Sequence, residues 1–251
     1  MKGYPMIDIH SHILPRIDDG AKSSSETLDL LKKAEKEGIS SIIATPHKNP
    51  EFKPSIDTIT SLVNKTNTIA QNNNLDINVL VGQEIRLYEN LVSDLENNNL
   101  LTLNQSKYIL IEFPSNNVPY YAQDICYQLQ MSKYQPIIVH PERNTDIIKN
   151  PNILYDLVQH GALAQITAGS IIGKFGSKAK KTAFKLIEHE LIHFIASDTH
   201  HLKTKDFHMK AATKKLSKIY GQYYTQYLID NAKKLVNNET IQPGYPQPIR
   251  R

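Results

Sequence analysis

"MIDIHSHILPRIDDGAKSSSETLDLLKKAEKEGISSIIATPH", residues 6–47, decides the fold class. It opens on a short apolar run, Met6–Ile9, and closes on a second, Ser41–Ala44. Between them lies a helix with both ends marked. Ser23 and Glu26 have capping-box spacing, Leu28 and Leu31 set an apolar face, and Gly38 ends the helix. Strand, capped helix, strand is the unit that joins parallel neighbours in a sheet.

The unit recurs along the chain. Further strands are expected at Ile77–Val81, Tyr108–Ile111, Ile137–Val139, Leu163–Ile166 and Phe194–Ala196. Helices are expected over Ile56–Asn72, Tyr120–Met131, Asn152–His160, Lys178–His189, Phe207–Tyr220 and Gln222–Val236, before a tail reading "QPGYPQPIRR". Continuous apolar strands alternating with helices argue for an α/β architecture whose parallel strands are buried on both faces. Seven strands without a Gly-x-Gly-x-x-Gly turn favour a closed or nearly closed barrel over a dinucleotide-binding sheet. No internal repeat or linker marks a boundary, so residues 1–251 read as a single domain.

Composition narrows the class. The formal charge of +4 is mildly basic, with lysines gathered at Lys174–Lys185 and Lys203–Lys218. Solvated helix faces are the plainer reading of these lysines, and an anionic partner the alternative. No basic segment is interleaved with aromatics, which argues against a nucleic-acid partner. The single cysteine, Cys126, excludes an internal disulfide framework and suits a reducing compartment. No segment reads as a signal peptide or approaches a membrane span, so the expectation is a cytoplasmic protein with no membrane insertion.

The chemistry lies just after the strands. His10 and His12 follow the first, His47 the second ("ATPHKNP"), and Glu84 the third ("VGQEIRL"). Glu112 follows the fourth ("ILIEFP"), His140 the fifth ("IIVHPERN"), and Asp198 with His200 the seventh ("IASDTHH"). The C-terminal ends of barrel strands are where active-site residues collect. Residues two apart in a strand face one side, so His10 and His12 reach one point, as do Asp198 and His200. Each has a plainer reading: His47 as a turn histidine, Glu112 as a buried carboxylate paired with an arginine, Asp18-Asp19-Gly20 as a turn. Together those readings fail, because so many buried polar groups left unpaired would cost several kcal/mol each.

Imidazole and carboxylate without thiolate suit zinc, manganese or iron. The donors exceed what one ion takes, which implies a cluster of two or three. Such a cluster generates hydroxide near neutral pH and clamps an in-line displacement. Its positive charge outweighs Asp19, Glu84, Glu112 and Asp198, leaving room for a hydroxide and a phosphate ester. Arg143, three residues after His140, adds a planar fork suited to phosphate oxygens.

The stretches "DIHSHILPRIDDGAK", "TPH", "GQEIRL", "IEFP", "HPERN" and "ASDTHH" resemble the polymerase and histidinol phosphatase (PHP) superfamily. More narrowly, they resemble its bacterial capsule-type tyrosine-protein phosphatases. The resemblance runs from about Met6 to His208. His-x-His alone is shared by many metallohydrolases, whereas the long first motif with "HPERN" and "SDTHH" is specific. It implies a distorted (β/α)7 TIM-like barrel, the PHP fold, holding three divalent ions, commonly Mn2+. The implied ligands are His10, His12, Asp19, His47, Glu84, Glu112, His140, Asp198 and His200. The implied substrate is phosphotyrosine in the Tyr-rich C-terminal tail of a cognate tyrosine kinase of capsule or exopolysaccharide synthesis. Where the family usually carries a phosphate-holding arginine, "SDTHHLKTKDFHM" has Lys203 and Lys205; Lys205 takes that place as a point charge. Arg16 stands in the first loop where a small residue is more usual.

The expected mechanism is attack by a metal-bridging hydroxide, with Arg143 and Lys205 neutralising phosphate oxygens and His200 or His201 available as an acid. A cysteine phosphatase needs an arginine six positions after its nucleophile, and six after Cys126 stands Ser132. Two rival readings are a related metal-dependent phosphoesterase, acting on histidinol phosphate or nucleic acid, and a non-catalytic protein that docks the kinase tail.

Overall fold

The computed structural model describes residues 5–250, so the outermost positions of the expected domain, 1–4 and 251, lie outside the described residues. In chain order the regular elements begin β1 (Met6–Ser11), α1 (Ser24–Glu37), β2 (Ile39–Ala44), β3 (His47–Lys48), α2 (Ile56–Asn72) and β4 (Asn78–Val81). They continue with β5 (Glu84–Arg86), α3 (Leu91–Glu96), β6 (Tyr108–Glu112), α4 (Ala122–Met131), β7 (Gln135–Val139) and α5 (Thr145–Lys149). The last are α6 (Asn152–Gln159), β8 (Leu163–Thr167), α7 (Ala168–Ile172), α8 (Gly176–Glu188), β9 (Phe194–Ala196) and α9 (Met209–Val236).

The strands form two parallel sheets, β1-β2-β4 and β3-β5-β6-β7-β8-β9. The expected strands Ser41–Ala44 and Ile77–Val81 are thus β2 and β4, and each is followed after a break by a short further strand, β3 and β5, that the sequence did not mark. Pro46, which lacks a backbone donor, separates β2 from β3; Gly82 and Gln83 separate β4 from β5. Counted as bent pairs, the strands occupy the seven expected positions in chain order. β9 returns to β1 through the parallel bridge Ser11–Thr199, with His12 N donating to Thr199 O at 2.8 Å and Asp198 N to His10 O at 2.9 Å. The architecture is thus a distorted parallel α/β barrel.

Alternation along the strands sorts two cores. Ile9, Ile43, Tyr108, Leu110, Ile137, Val139, Leu163 and Phe194 form the inner one. Ile42, Ile109, Ile111, Ile138, Ala164, Ile166 and Ile195 pack outward with the helices. The end remote from the site is stoppered by α9 and the chain beyond it: Ala232, Leu235 and Ile241 join the inner core, and Asn231 Nδ2 donates to His193 O at 3.0 Å. The two helices expected near the C-terminus run as one element, interrupted at Gly221. α1 has the expected cap, with Ser23 accepting from Glu26 N and Gly38 in the left-handed conformation.

β1 carries one irregularity that matters for the site. Three steps along it, from Asp8 to Ser11, match two along β2, from Ile42 to Ala44. The extra residue lets both Ile9 and His10 face the barrel interior, where one packs in the core and the other reaches Gln165. No helix among the described residues is long and apolar enough to cross a membrane.

The break between β4 and β5 depends on Gly82, because a Cβ there would meet Ile43 Cγ2 at 2.7 Å and Leu103 Cδ2 at 2.9 Å. Gly82→Ala is expected to lower stability by about 1–3 kcal/mol through overpacking, read as a lower denaturation midpoint. An unchanged midpoint would show that the two strand pairs slide apart freely there.

Candidate metal centre

The side chains selected from the sequence meet at the end of the barrel where the strands finish. Glu84 lies opposite His47 in the β3–β5 register, and its carboxylate is the hub. Oε2 is 3.3 Å from both His10 Nε2 and His12 Nε2 and 2.8 Å from His47 Nδ1, while Oε1 is 2.9 Å from His140 Nε2. Asp198 Oδ1 stands 3.5 Å from the Nε2 atoms of His10 and His12. Asp19 Oδ1 bridges His47 Nε2 at 3.4 Å and His200 Nε2 at 3.3 Å. Glu112 Oε2 is 4.0 Å from His47 Nδ1. Four groups of donor atoms, each within 4.8 Å, could hold a cation: His12/Asp19/His47/His200, His10/His12/Asp198, His10/Glu84/His140 and His47/Glu84/Glu112. His10, His12, His47 and Glu84 each belong to two of them.

The donor set fits divalent ions. His47 Nδ1 and Glu84 Oε2 are buried and close, yet neither has a hydrogen-bond partner. His10 Nε2 and His12 Nε2 face each other at 3.4 Å. Lone pairs turned toward common points, all nitrogen and oxygen, are the arrangement that ions of the zinc, manganese and iron type satisfy.

Charge says the same. Burial works against a charged ring at His47, but the Glu84 charge and the bonds to Asp19 and Glu84 together outweigh it and lift the group to about 10. His12 is likewise raised against its burial, first by Asp18. His140 is held down to about 4 by burial and by Arg143, which keeps its ring neutral. Glu112 is raised by burial and by Glu84, and Asp19 is lowered by bonds from His200 and His47. The carboxylates thus draw His10, His12 and His47 toward the charged form, while burial keeps His140 and His200 neutral.

Residues behind the donors aim them. Asp18 Oδ2 receives His12 Nδ1 at 2.7 Å and His47 N at 3.1 Å, and its Oδ1 accepts from Gly20 N at 2.9 Å. Gly20 presses on His12, since a Cβ there would lie 2.0 Å from His12 O. The "DDG" turn is therefore a brace as well as a source of Asp19. Gln165 Oε1 meets His10 Nδ1 at 2.9 Å, and Asp8 accepts from Ser197 N at 2.9 Å across the β1–β9 seam. Sequence reasoning gave Asp8 and Gln165 no role. The available signal was a polar side chain inside an apolar strand.

His140 (φ 35°) and Asp198 (φ 53°) both adopt the left-handed conformation as they leave β7 and β9. For residues with a Cβ this costs on the order of 1–2 kcal/mol each, and here it turns the side chains into the centre. Asp198 and His200 lie beyond β9, so this turn, rather than strand alternation, brings them together.

Three cations flank the donors. Arg143 donates to Asp198 and lies over the Phe175 ring, 4.8 Å from its centroid. Its turn is pinned by buried Glu142, which accepts from Thr167 N at 3.0 Å and Ser170 Oγ at 2.6 Å. Lys205 Nζ is 3.0 Å from His200 Nε2. Arg86, unremarked in the sequence, donates to Glu112 at 2.9 Å. Arg16 turns away, its Nε donating to Lys22 O at 3.0 Å within its own loop.

The family whose description is capsular polysaccharide synthesis, CpsB/CapC, matches residues 6–237. The chain belongs to this family. Tyrosine-protein phosphatase YwqE of Bacillus subtilis (strain 168) is 44% identical over 247 residues, covering 98% of this chain and 97% of that protein. Putative tyrosine-protein phosphatase CapC of Staphylococcus aureus is 41% identical, covering 96% and 95%. A crystal structure from the pair YwqE of Bacillus subtilis and CpsB of Streptococcus pneumoniae, described as unique metal-dependent tyrosine phosphatases, matches with a TM-score of 0.96. It is 44% identical, covering 98% of this chain and 100% of that one.

Asp18 holds His12 without joining any of the donor groups, so Asp18→Ala is expected to weaken divalent-ion affinity about 10–100-fold while the barrel stays folded. Ion titration followed by calorimetry, with circular dichroism as control, measures this. Wild-type affinity would show that His12 needs no brace.

Proposed function

We propose that this member of the CpsB/CapC family is a metal-dependent protein-tyrosine phosphatase acting on the phosphotyrosine tail of a cognate bacterial tyrosine kinase of capsule synthesis. On this reading residues 1–251 work as one cytoplasmic domain. The ligands are His10, His12, Asp19, His47, Glu84, Glu112, His140, Asp198 and His200. The ions number three, with manganese first and iron or zinc as alternatives. The supporting observation is the set of four overlapping nitrogen–oxygen donor groups, linked through His10, His12, His47 and Glu84, in a chain matched over nearly its whole length by a tyrosine-protein phosphatase.

When bound, the ions supply an activated water and Lewis acidity toward phosphoryl oxygens. The chain's own residues do the rest. Asp18 and Gln165 fix the rings of His12 and His10 so that each Nε2 faces inward. Arg143, seated on Phe175 and on a turn that Glu142 pins, offers donors to a phosphate arriving beside Asp198. Lys205 brings a second positive charge next to His200. A tyrosine phenol, with a pKa of about 10, leaves without the strong acid that a serine alkoxide needs. Cys126 takes no part: it is buried in α4, and burial pushes its thiol up to about 12.

Chelation is expected to abolish hydrolysis of a phosphotyrosine peptide, and added Mn2+ to restore it, while Cys126→Ser keeps nearly the full rate. Loss of activity in the folded serine variant would overturn the metal route.

Arg143 touches a donor carboxylate as well as facing the phosphate position, and one experiment separates the two roles. Arg143→Ala should lower kcat/KM about 10²-fold, the cost of losing one charge-stabilising donor. Its metal content should stay near wild type, whereas His140→Ala should lose metal. Equal depletion in both would make Arg143 a support for Asp198 and no more.

A further inference from the structure

Nine lysines occupy α8, the residue pair before it, and the first half of α9: Lys174, Lys178, Lys180, Lys181, Lys185, Lys210, Lys214, Lys215 and Lys218. No aspartate or glutamate interrupts residues 174–187 or 207–229. Elsewhere the protein balances such charges, as where Lys33 meets Glu37 and Asp206. Among the described residues none of the nine lysines makes an ion pair.

Two of the nine differ from the rest. Lys180 and Lys215 are half-buried where α8 and α9 close over α7, whereas the other seven are exposed. Lys215 is fixed in place: Nζ donates to Ile171 O at 2.8 Å and lies 5.2 Å from the Phe184 ring centroid. The Lys180 side chain lies beside the same turn: its Cδ is 3.4 Å from where a Cβ on Gly173, two residues after Ile171, would stand. Burial, and then Lys180, push the Lys215 group below its ordinary range. Two like charges held together without a counter-ion are unfavourable on their own and favourable around a dianion.

The position relates this crease to the catalytic end. Phe175, the platform under Arg143, is the residue from which α8 starts. Lys180 is five residues on, about 8 Å of helix rise. An extended polypeptide covers that distance in about three residues.

We propose that the Lys180–Lys215 crease is a second anion site, which holds another phosphoryl group of the same polypeptide whose phosphotyrosine lies at the metal centre. This rests on the phosphatase reading. The site captures substrate and takes no part in the bond-breaking step. A phosphoryl dianion suits it better than a carboxylate because it matches both ammonium charges. The surrounding exposed lysines extend the same field, and they make capture dependent on salt.

The test compares three substrates on the manganese-loaded protein: p-nitrophenyl phosphate, a peptide with one phosphotyrosine, and the same peptide with a second phosphotyrosine three residues away. Wild type should show a KM for the doubly phosphorylated peptide about 5–10-fold below that for the single one, with the gap closing at high salt. Lys180→Gln with Lys215→Gln should remove the gap without changing kcat or the KM for p-nitrophenyl phosphate. Lys180→Gln alone, which leaves the Lys215–Ile171 bond intact, should remove most of it and guards against a folding artefact. Equal KM values in wild type, or a gap that survives in both variants, would overturn the site. A crease that serves an anionic membrane would instead give variants with unchanged peptide kinetics and reduced sedimentation with phosphatidylglycerol vesicles. Failure of wild type to hydrolyse either peptide would strike the phosphatase reading itself.

Discussion

Everything at the catalytic end is arranged around one carboxylate. Glu84 faces His10, His12, His47 and His140 at 2.8–3.3 Å, three of them on the one oxygen Oε2, which has only two lone pairs to offer. The strands that carry these groups lie about 4.8 Å apart in the hydrogen-bonding direction. Side chains leaving the ends of neighbouring strands therefore arrive at a common centre only if each is turned inward. The irregular step in β1, the breaks after Ala44 and Val81, and the left-handed backbone at His140 and Asp198 all do this. These departures from regular geometry are stabilised by the surrounding barrel, and a bound ion rewards them.

Much of this was legible in the sequence because barrel strands end where chemistry begins. Strand-helix periodicity placed seven strand positions, and the polar residues after six of them pointed to the centre. The short strands past the breaks were not legible: the run ends at Ala44 in the sequence, and only the pairing of His47 with Glu84 shows that a strand resumes beyond Pro46. The short helices α3, α5 and α7 were missed, since five or six residues are too few to show a period. Gln165 and Asp8 escaped for a different reason. Their work is to hold other side chains still, and only three-dimensional neighbours show that.

The cationic residues show how far a motif reaches. "HPERN" suggested a phosphate fork, but the fork's aim comes from Phe175 and from Glu142 gripping the start of α7. Lys205, expected from the resemblance to stand in for an arginine, does arrive beside His200, carried by a loop whose path is fixed by bonds from His200 N and Thr199 Oγ1 to Lys205 O. A change of residue type there alters the geometry of charge, not its presence.

The seam between β1 and β9 joins the first strand to the last, as in the Asp8–Ser197 latch that spans 189 positions. On the ribosome this separates the first donors from the last in time. His10 and His12 emerge early, yet Asp198 and His200 follow only after nearly the whole barrel has been made. At about 5–20 residues per second the interval is roughly 10–40 s. Throughout it the nascent chain holds an incomplete donor set, able to bind stray cations weakly but not to close around them. Assembly of the centre is therefore a late event that waits on the last strand of the barrel.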